Sequence, residues 1–306
     1  MFNHNLLLRK LQKPEGVIDA VLDTDAYNEI DDQFALAYLL LSKERINPLA
    51  VYAAPFSNAK SSGPADGMEK SYDEILKVMT LCGRDDMHKN AFKGSTRYLP
   101  DEKTPVESDA ARDLVIKALE HSPEKPLYVL AIGAITNVAS ALLMKPEICE
   151  NIVVVFLGGT AHHFPPHPEF NMSQDVAAAR VVFGSGCALV QLPCLGVVTH
   201  LTTTEPELRH HLKGTSKIGD YLYHNVCEEV THYDGGMAWS RVIWDVSAVA
   251  WLLGDKFVWD SIIPAPIPSY DNGYVFDNRR HYIKTALYVE RDAIFADLFT
   301  KIAACN

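Results

Sequence analysis

The stretch VIDAVLDTDAYNEIDDQFALAYLLL, residues 17–41, sets five carboxylic acids within positions 23–32, between two apolar runs. The run 17–22 has the length and apolar content of a β-strand, and the run 33–41 has those of a helix. The stretch therefore predicts a strand, an acidic loop and a helix in that order, which is the opening unit of an α/β fold.

The rest of the chain repeats this alternation of strand-length apolar runs and helical patterns. The near-continuous β-branched run 152–157 is typical of a strand buried on both faces of a sheet. Thr204 and Glu207 have the spacing of a capping box for a helix that begins near Glu205. Further strands are predicted at 49–54, 127–132 and 188–192, and further helices at 68–81, 110–119, 136–144, 176–183 and 246–253. Together these elements predict one Rossmann-like α/β domain over residues 1–306, with a mainly parallel central sheet flanked by helices.

The composition limits the classes of function. A net charge of -11 opposes a broad nucleic-acid-binding surface, because phosphate contacts need clustered lysine and arginine. Residues 1–13 contain only a short apolar run, so no secretory signal is expected, and no apolar stretch approaches the ~18 residues of a membrane span. The six cysteines form no C-x-x-C pair, so neither a zinc knuckle nor a redox motif is indicated. We expect a cytoplasmic protein with reduced thiols that acts on a small molecule.

The acidic loop is the strongest indication of a functional site. Like charges packed this closely repel one another unless a cation lies among them or some are protonated. Carboxylate oxygens are hard ligands that select calcium or magnesium. The alternative is a solvated loop whose acids only favour the helix N-terminus. Its position after the first strand favours a site, because ligands of such sheets bind at the carboxyl ends of the strands.

The motifs resemble those of the inosine-uridine nucleoside hydrolase family. The acidic loop contributes an Asp-x-Asp pattern after the first strand and an Asp-Asp pair that opens the helix. The other matching motifs follow in family order and cover most of the chain: Ile-Gly-Ala-Ile-Thr-Asn at 132–137, Leu-Gly-Gly at 157–159, Glu-Phe-Asn at 169–171, then Asp175, Ala177 and Asp245. Each motif alone is weakly specific, whereas the ordered set is quite specific.

The resemblance implies a calcium site and a ribose site. The family holds calcium with three carboxylates and one main-chain carbonyl, and the matching positions here are Asp25, Asp32, Asp245 and the carbonyl of Ile132. The positions that match ribose contacts are Asp31, Asn58, Glu169 and Asn171. Asp23 is expected behind these residues, where it orients its neighbours.

The resemblance also implies the reaction. A water molecule oriented by calcium would lose its proton to Asp25, the expected general base, and attack the sugar carbon of a ribonucleoside. The products would be ribose and the free base, and the transition state would carry positive charge on the ribose. The family further implies a homo-oligomer, either a dimer or a tetramer.

Two features depart from the family pattern. The spacing between Asp25 and Asp31 is two residues longer than usual. We interpret this as a bulge that leaves the ligands in place and brings Asn28 or Glu29 toward the site; the alternative is a changed metal site. Trp244 stands where many members have a histidine that protonates the leaving base. It is expected either to stack on a purine or to pack in the core.

Several loop residues are weaker candidates for the site. His162, His163 and His167 lie in one short segment, but the rigid Pro-Pro pair between them disfavours a zinc site. His163 or His162 is expected beside the 5′ end of the sugar. The remaining candidates are His232 and Tyr233 as proton donors to the leaving group, and Trp239 and Arg241 as pocket walls, and all four are equally compatible with ordinary loop positions.

Other functions stay open at this point. Asp23 and Asp25 also resemble the nucleophile and acid of a haloacid-dehalogenase-like phosphatase that uses magnesium, although the late acidic pair of that family is not found. A nucleoside-binding relative that has lost turnover is a second alternative. The third is that the acids serve only stability.

Overall fold

The computed structural model describes residues 4–231 and 238–305. Its strands are β1 Ile18–Thr24, β2 Ile46–Ala53, β3 Ala91–Lys93, β4 Leu127–Ala131, β5 Ile152–Leu157, β6 Ala188–Leu192, β7 Thr202–Thr203, β8 Arg241–Val242, β9 Val258–Pro264, β10 Ile267–Pro268, β11 Tyr274–Val275 and β12 Tyr282–Val289. Its helices are α1 His4–Lys10, α2 Asp32–Leu41, α3 Pro64–Leu81, α4 Asp109–Leu119, α5 Thr136–Met144, α6 Phe170–Gln174, α7 Val176–Gly184, α8 Glu205–His211, α9 Lys217–Thr231, α10 Val246–Leu253 and α11 Arg291–Ala303.

Eight strands form the central sheet, in the order β3-β2-β1-β4-β5-β6-β12-β9. Every neighbouring pair in this order is parallel except the last, in which β9 runs antiparallel to β12. Two small antiparallel sheets, β7 with β8 and β10 with β11, lie outside it. The predicted α/β fold with a mainly parallel sheet flanked by helices is therefore confirmed.

Successive residues of the inner strands enter two separate hydrophobic layers. In β1, Leu22 packs with the layer that contains α2, α10 and α11, whereas Val21 packs with the layer that contains α4, α5 and α7. The same alternation is found in β5 at Val155 and Val154. Burial on both faces explains the nearly continuous apolar sequence of these strands.

The predicted elements are present, with differences at their ends. The helix predicted at 68–81 begins earlier, because Pro64 fits the first turn of α3, where its missing N–H costs no hydrogen bond. The predicted capping box is wrong. Thr204 occupies the N-cap of α8, but its side chain makes no capping hydrogen bond, and Glu207 instead accepts one from the Thr203 hydroxyl at 2.7 Å. No helix in the described ranges is long and apolar enough to cross a membrane.

The parallel strands bring several loops to one edge of the sheet. Asp25 follows β1, Ile132 follows β4, and Gly158 follows β5, all at carboxyl ends. The loop before α10, which carries Asp245, reaches the same edge because Trp244 N–H bonds to Asp31 at 3.0 Å. The fold thus gathers residues that are up to 220 positions apart around one cavity.

Candidate active site

A cavity of about 220 Å³ opens at this edge. Its walls are formed by Asp25, Asn28, Glu29, Asp31, Asp32, Ile132, Leu157, His167, Pro168, Glu169, Phe170, Asn171, Cys194, Leu195, Trp244 and Asp245. Ten of the thirteen residues predicted from the sequence are among them; the others are Asp23, Asn58 and His163. The described lining contains six carboxylic acids and neither lysine nor arginine.

Four aspartates, Asp25, Asp31, Asp32 and Asp245, form what we call the aspartate cluster. All four are buried, and oxygens of the last three lie within 4.8 Å of one another. The Thr24 hydroxyl donates to Asp32, which fixes that carboxylate at the start of α2. Oδ2 of Asp25 is buried and has no hydrogen-bond partner among the described residues. The cluster therefore presents several carboxylate oxygens to one point with few donors to balance them.

Burial and the closeness of like charges raise the pKa values of carboxyl groups in the cluster. Loss of hydration raises the pKa of Asp25 well above its usual range, and the neighbouring Asp32 and Asp31 raise it further. The same two causes raise the pKa of Asp245. Burial also raises the pKa of Asp32 to about 6, against hydrogen bonds that lower it. A cation placed among these oxygens would favour their ionised forms.

The carbonyl predicted to complete the site lies beside the cluster. Ile132 O accepts a hydrogen bond of 3.1 Å from Nδ2 of Asn171, and that same nitrogen donates to Leu157 O at 3.1 Å. Asn171 thus joins the ends of β4 and β5. A Cβ on Gly133 would lie 2.9 Å from Cγ of Asp25, so glycine is needed there for the aspartate to take its position.

Glu169 is a buried acid of a different kind. It caps α6 and accepts hydrogen bonds from three main-chain amides: Gly159 N at 2.6 Å, Met172 N at 2.9 Å and Asn171 N at 3.0 Å. The Cys194 thiol donates to its Oε1 at 3.3 Å. Four donors fill the acceptor sites of one carboxylate. Glu169 therefore holds the Asn171 segment in place rather than offering a free oxygen to a ligand.

Asp23 lies behind the cavity, as expected for a residue that orients its neighbours. It is 1% exposed and accepts a hydrogen bond of 2.8 Å from Nδ2 of Asn137. Burial raises its pKa to about 7 against that hydrogen bond. Asn137 in turn accepts from Ser95 N and Oγ, both at 2.8 Å. Because Asp23 does not reach the cavity, the geometry does not suit the nucleophile of the alternative phosphatase.

The aspartates on both sides of the lengthened loop, Asp25 with Asp31 and Asp32, line one cavity. Asn28 and Glu29 both line the cavity. Glu29 pairs with Arg241 at 3.0 Å, which ties the loop to the segment before Trp244. Asn58 does not line the cavity in the described structure; its Nδ2 donates to Oδ1 of Asn28 at 2.6 Å.

The histidine segment is arranged differently from the prediction. His163 is exposed, packs against Phe164 with a 5.1 Å centroid separation, and does not line the cavity in the described structure. His162 bonds Gln191 at 2.9 Å and packs against Tyr274. His167 lines the cavity instead, because it directly precedes the turn into α6. The sequence clue was its position two residues before Glu169.

Trp244 packs against the core, as one of the two predictions for it stated, and it also lines the cavity, where stacking on a base stays a prediction. Trp239 is partly buried against the core and is not a cavity residue among those described. His232 and Tyr233 lie outside the described residues. Five cavity residues were not predicted as site residues. Leu157 and Phe170 lie within matched motifs, whereas Pro168, Cys194 and Leu195 belong to none.

Known proteins share both the sequence and the fold. The sequence profile of the inosine-uridine preferring nucleoside hydrolases matches residues 20–294. Non-specific ribonucleoside hydrolase RihC of Salmonella paratyphi B is 34% identical over 148 residues, 47% of this chain and 45% of the relative, so this match spans about half of that protein. RihC of Salmonella enteritidis PT4 is 34% identical over 250 residues, 76% of this chain and 78% of the relative.

Solved structures resemble the fold at lower sequence identity. The plant nucleoside hydrolase PpNRh1 superposes with a TM-score of 0.77 at 18% identity, covering 94% of this chain and 99% of that one. The purine-preferring ribonucleoside hydrolase of Gardnerella vaginalis gives a TM-score of 0.75 at 18% identity, covering 94% and 98%. Because the family profile spans most of the chain, the protein belongs to the inosine-uridine preferring nucleoside hydrolase family.

Proposed function

We propose that this protein is a calcium-dependent hydrolase that cleaves the N-glycosidic bond of a ribonucleoside, giving ribose and the free base. The observation that carries the proposal is the aspartate cluster, whose buried oxygens converge at the carboxyl edge of the sheet with one Asp25 oxygen unpartnered. Family membership supports the reaction class. We further propose that residues 1–306 form one domain, which the continuous eight-stranded sheet supports.

The residues present fit a calcium ion. All the available donors are hard oxygens, from Asp25, Asp32, Asp245 and the carbonyl of Ile132, and an unsatisfied buried carboxylate oxygen is the feature that a cation would relieve. A bound calcium ion would supply positive charge that makes a nearby water more acidic and holds vicinal hydroxyl groups.

In the proposed reaction, carboxylates of the cavity act on the attacking water and on the sugar. The Asp25 carboxylate accepts the proton of the attacking water, as the water oxygen bonds to C1′ of the ribose. The electron pair of the C1′–N bond passes to the base, which takes a proton from solvent. Asp31 accepts hydrogen bonds from ribose hydroxyls, and the surrounding carboxylates stabilise the positive charge that develops on the sugar.

The other predicted residues position these groups. Asn171 holds the Ile132 carbonyl in place. Glu169 fixes the turn that carries Asn171, since its oxygens are already filled by backbone donors. The Trp244 side chain forms a wall against which the flat base stacks. His167, rather than His163, is the histidine at the cavity rim.

The proposal includes a cytoplasmic homo-oligomer, a dimer or a tetramer. The free thiols of all six cysteines support a reducing compartment. Strand β9, at the edge of the sheet, and its neighbour β12 carry exposed apolar side chains. Trp259 and Leu287, which are 60% and 58% exposed, are among them and support self-association. Light scattering of the purified protein measures the oligomeric state directly.

The first experiment incubates the protein with purine and pyrimidine ribonucleosides and measures reducing sugar, with calcium and with chelator. Release of ribose in calcium, and its loss in chelator, is the expected result. Release of phosphate from phosphate esters instead would favour the phosphatase alternative. Nucleoside binding without release in either condition would contradict hydrolysis and identify a relative that has lost turnover.

A further inference from the structure

The amide of Asn28 has a fixed orientation that leaves one polar group without a partner in the cavity wall. Asn58 Oδ1 accepts a hydrogen bond of 2.8 Å from the backbone N–H of Lys60, which can only donate. The other end of the Asn58 amide, Nδ2, therefore faces Asn28 and donates to its Oδ1 at 2.6 Å. Asn28 must consequently turn its own Nδ2 away from Asn58.

This remaining donor has no partner in the described structure. Asn28 is 7% exposed and lines the cavity, and no described residue accepts a hydrogen bond from its Nδ2. An amide N–H₂ group in a cavity wall with no acceptor in the protein is available to a ligand or to water. The donor is therefore placed where a ligand in the cavity can accept its hydrogen bond.

The wall that holds Asn28 is also the wall that holds Trp244. Asp31 accepts a hydrogen bond from the backbone N–H of Trp244, and Glu29 pairs with Arg241. Both links lie on the C-terminal side of Asn28, and they join the loop to the segment that carries the tryptophan. Asn28 and Trp244 both line the cavity that a base stacked on the indole would occupy.

We propose that Asn28 is a further substrate-contacting residue, which donates a hydrogen bond from Nδ2 to a ring nitrogen or carbonyl oxygen of the leaving base, and that Asn58 is the residue that positions it. This inference rests on the proposed function. Purine and pyrimidine bases both carry such acceptors beside the glycosidic nitrogen. As the bond breaks, the electron pair moves onto the base, and the amide stabilises that charge while keeping its own proton.

The test compares leaving groups. Inosine and uridine release bases that need this stabilisation, whereas p-nitrophenyl riboside releases a phenolate that accommodates negative charge by itself. Asn28→Ala should lower kcat for both nucleosides by about 100-fold, the usual cost of losing one such donor, and that for the aryl riboside by less than about threefold. Calcium content, measured on the same samples, should not change.

A second variant, at Asn58, tests whether this residue positions the Asn28 amide. Asn58→Asp keeps the acceptor for the Lys60 amide but removes the donor to Asn28, whose amide then turns round. Its kcat should fall on the nucleosides and not on the aryl riboside, as for Asn28→Ala. Because both substitutions remove one interaction, the double variant should be no slower than the slower single variant.

Two results would overturn the inference: an equal loss on all three substrates, which would place Asn28 in ribose binding or loop folding, or no loss on the nucleosides. Asn28→Asp, with the same shape and fewer donors, gives the same comparison if the alanine variant does not fold. The wild-type protein separates this inference from the proposed function. If the wild type itself releases no ribose from nucleosides, both fail; if it does and Asn28→Ala equals it, only the inference fails.

Discussion

Two kinds of buried carboxylate meet in this protein, and they differ in what surrounds their oxygens. Glu169 and Asp175 cap α6 and α7, and each accepts at least three hydrogen bonds, for Asp175 from Ala178 N, Leu99 N and the Thr136 hydroxyl at 2.7–2.9 Å. The aspartate cluster instead packs carboxylate against carboxylate, with one Asp25 oxygen unpartnered. Burial alone therefore does not mark a functional acid; the absence of donors around its oxygens does.

The largest expected effect is on turnover. Asp25→Asn removes the proposed general base and one charge for the cation, so kcat for nucleosides should fall by about 1,000-fold or more, within the range of general-base catalysis and its combination with ligand loss. Reducing-sugar assays at saturating nucleoside measure it. Asp175→Asn is the matched control, because it changes a capping acid outside the cavity lining. Equal losses of kcat in the two variants would contradict the distinction between the capping acids and the aspartate cluster.

Metal removal should destabilise the protein through the cluster. Calcium that binds only the folded state at 100 times its dissociation constant adds about 2.7 kcal/mol to the free energy of unfolding. Thermal melting in calcium and in chelator should therefore give a higher Tm with the ion. Identical melting curves, together with full activity in chelator, would contradict a calcium site.

Neutralising one acid of each kind should change the free energy of unfolding in opposite directions. In chelator, Asp245→Asn removes a carboxylate whose charge is disfavoured by burial and by the neighbouring Asp31 and Asp32, and should raise the free energy of unfolding. Glu169→Gln places an amide N–H₂ against backbone donors and should lower it by about 1–3 kcal/mol, with or without calcium. Denaturant unfolding of both variants measures these two changes in the free energy of unfolding. A loss of stability in both variants in chelator would show that the aspartates, too, are structurally satisfied.

The sequence predicted those parts of the fold in which one local pattern determines the structure. Strand β5, Ile152–Leu157, was predicted with its bounds because both of its faces are buried and every residue is apolar. Strand β9, Val258–Pro264, was not predicted, since it lies at the edge of the sheet and mixes polar with half-exposed apolar residues. Its place beside β12 depends on long-range pairing that no local pattern reveals.

The same limit applies to the candidate site. The aspartates were found because strand ends and acidic residues coincide in the sequence. The sequence could not show that hydrogen-bond donors already occupy the carboxylate oxygens of Glu169, because those donors come from a turn at Gly159 and from the helix that it caps. The pairing of Asn28 with Asn58 joins two loops 30 positions apart, and only the folded geometry shows which of the two reaches the cavity.

The smallest expected effect concerns the base. Trp244 is linked to the aspartate cluster through its backbone N–H, so changing its side chain leaves that hydrogen bond intact and isolates stacking. Stacking of a base on an aromatic side chain is worth about 1–3 kcal/mol, and a purine offers more ring area than a pyrimidine. Trp244→Ala should therefore raise KM for inosine by about 10-fold and that for uridine by clearly less, whereas Trp244→Phe should restore most of the difference. An equal rise for both nucleosides in Trp244→Ala would show that the indole only packs against the core, and the aspartate cluster would then act on the sugar without help from this wall.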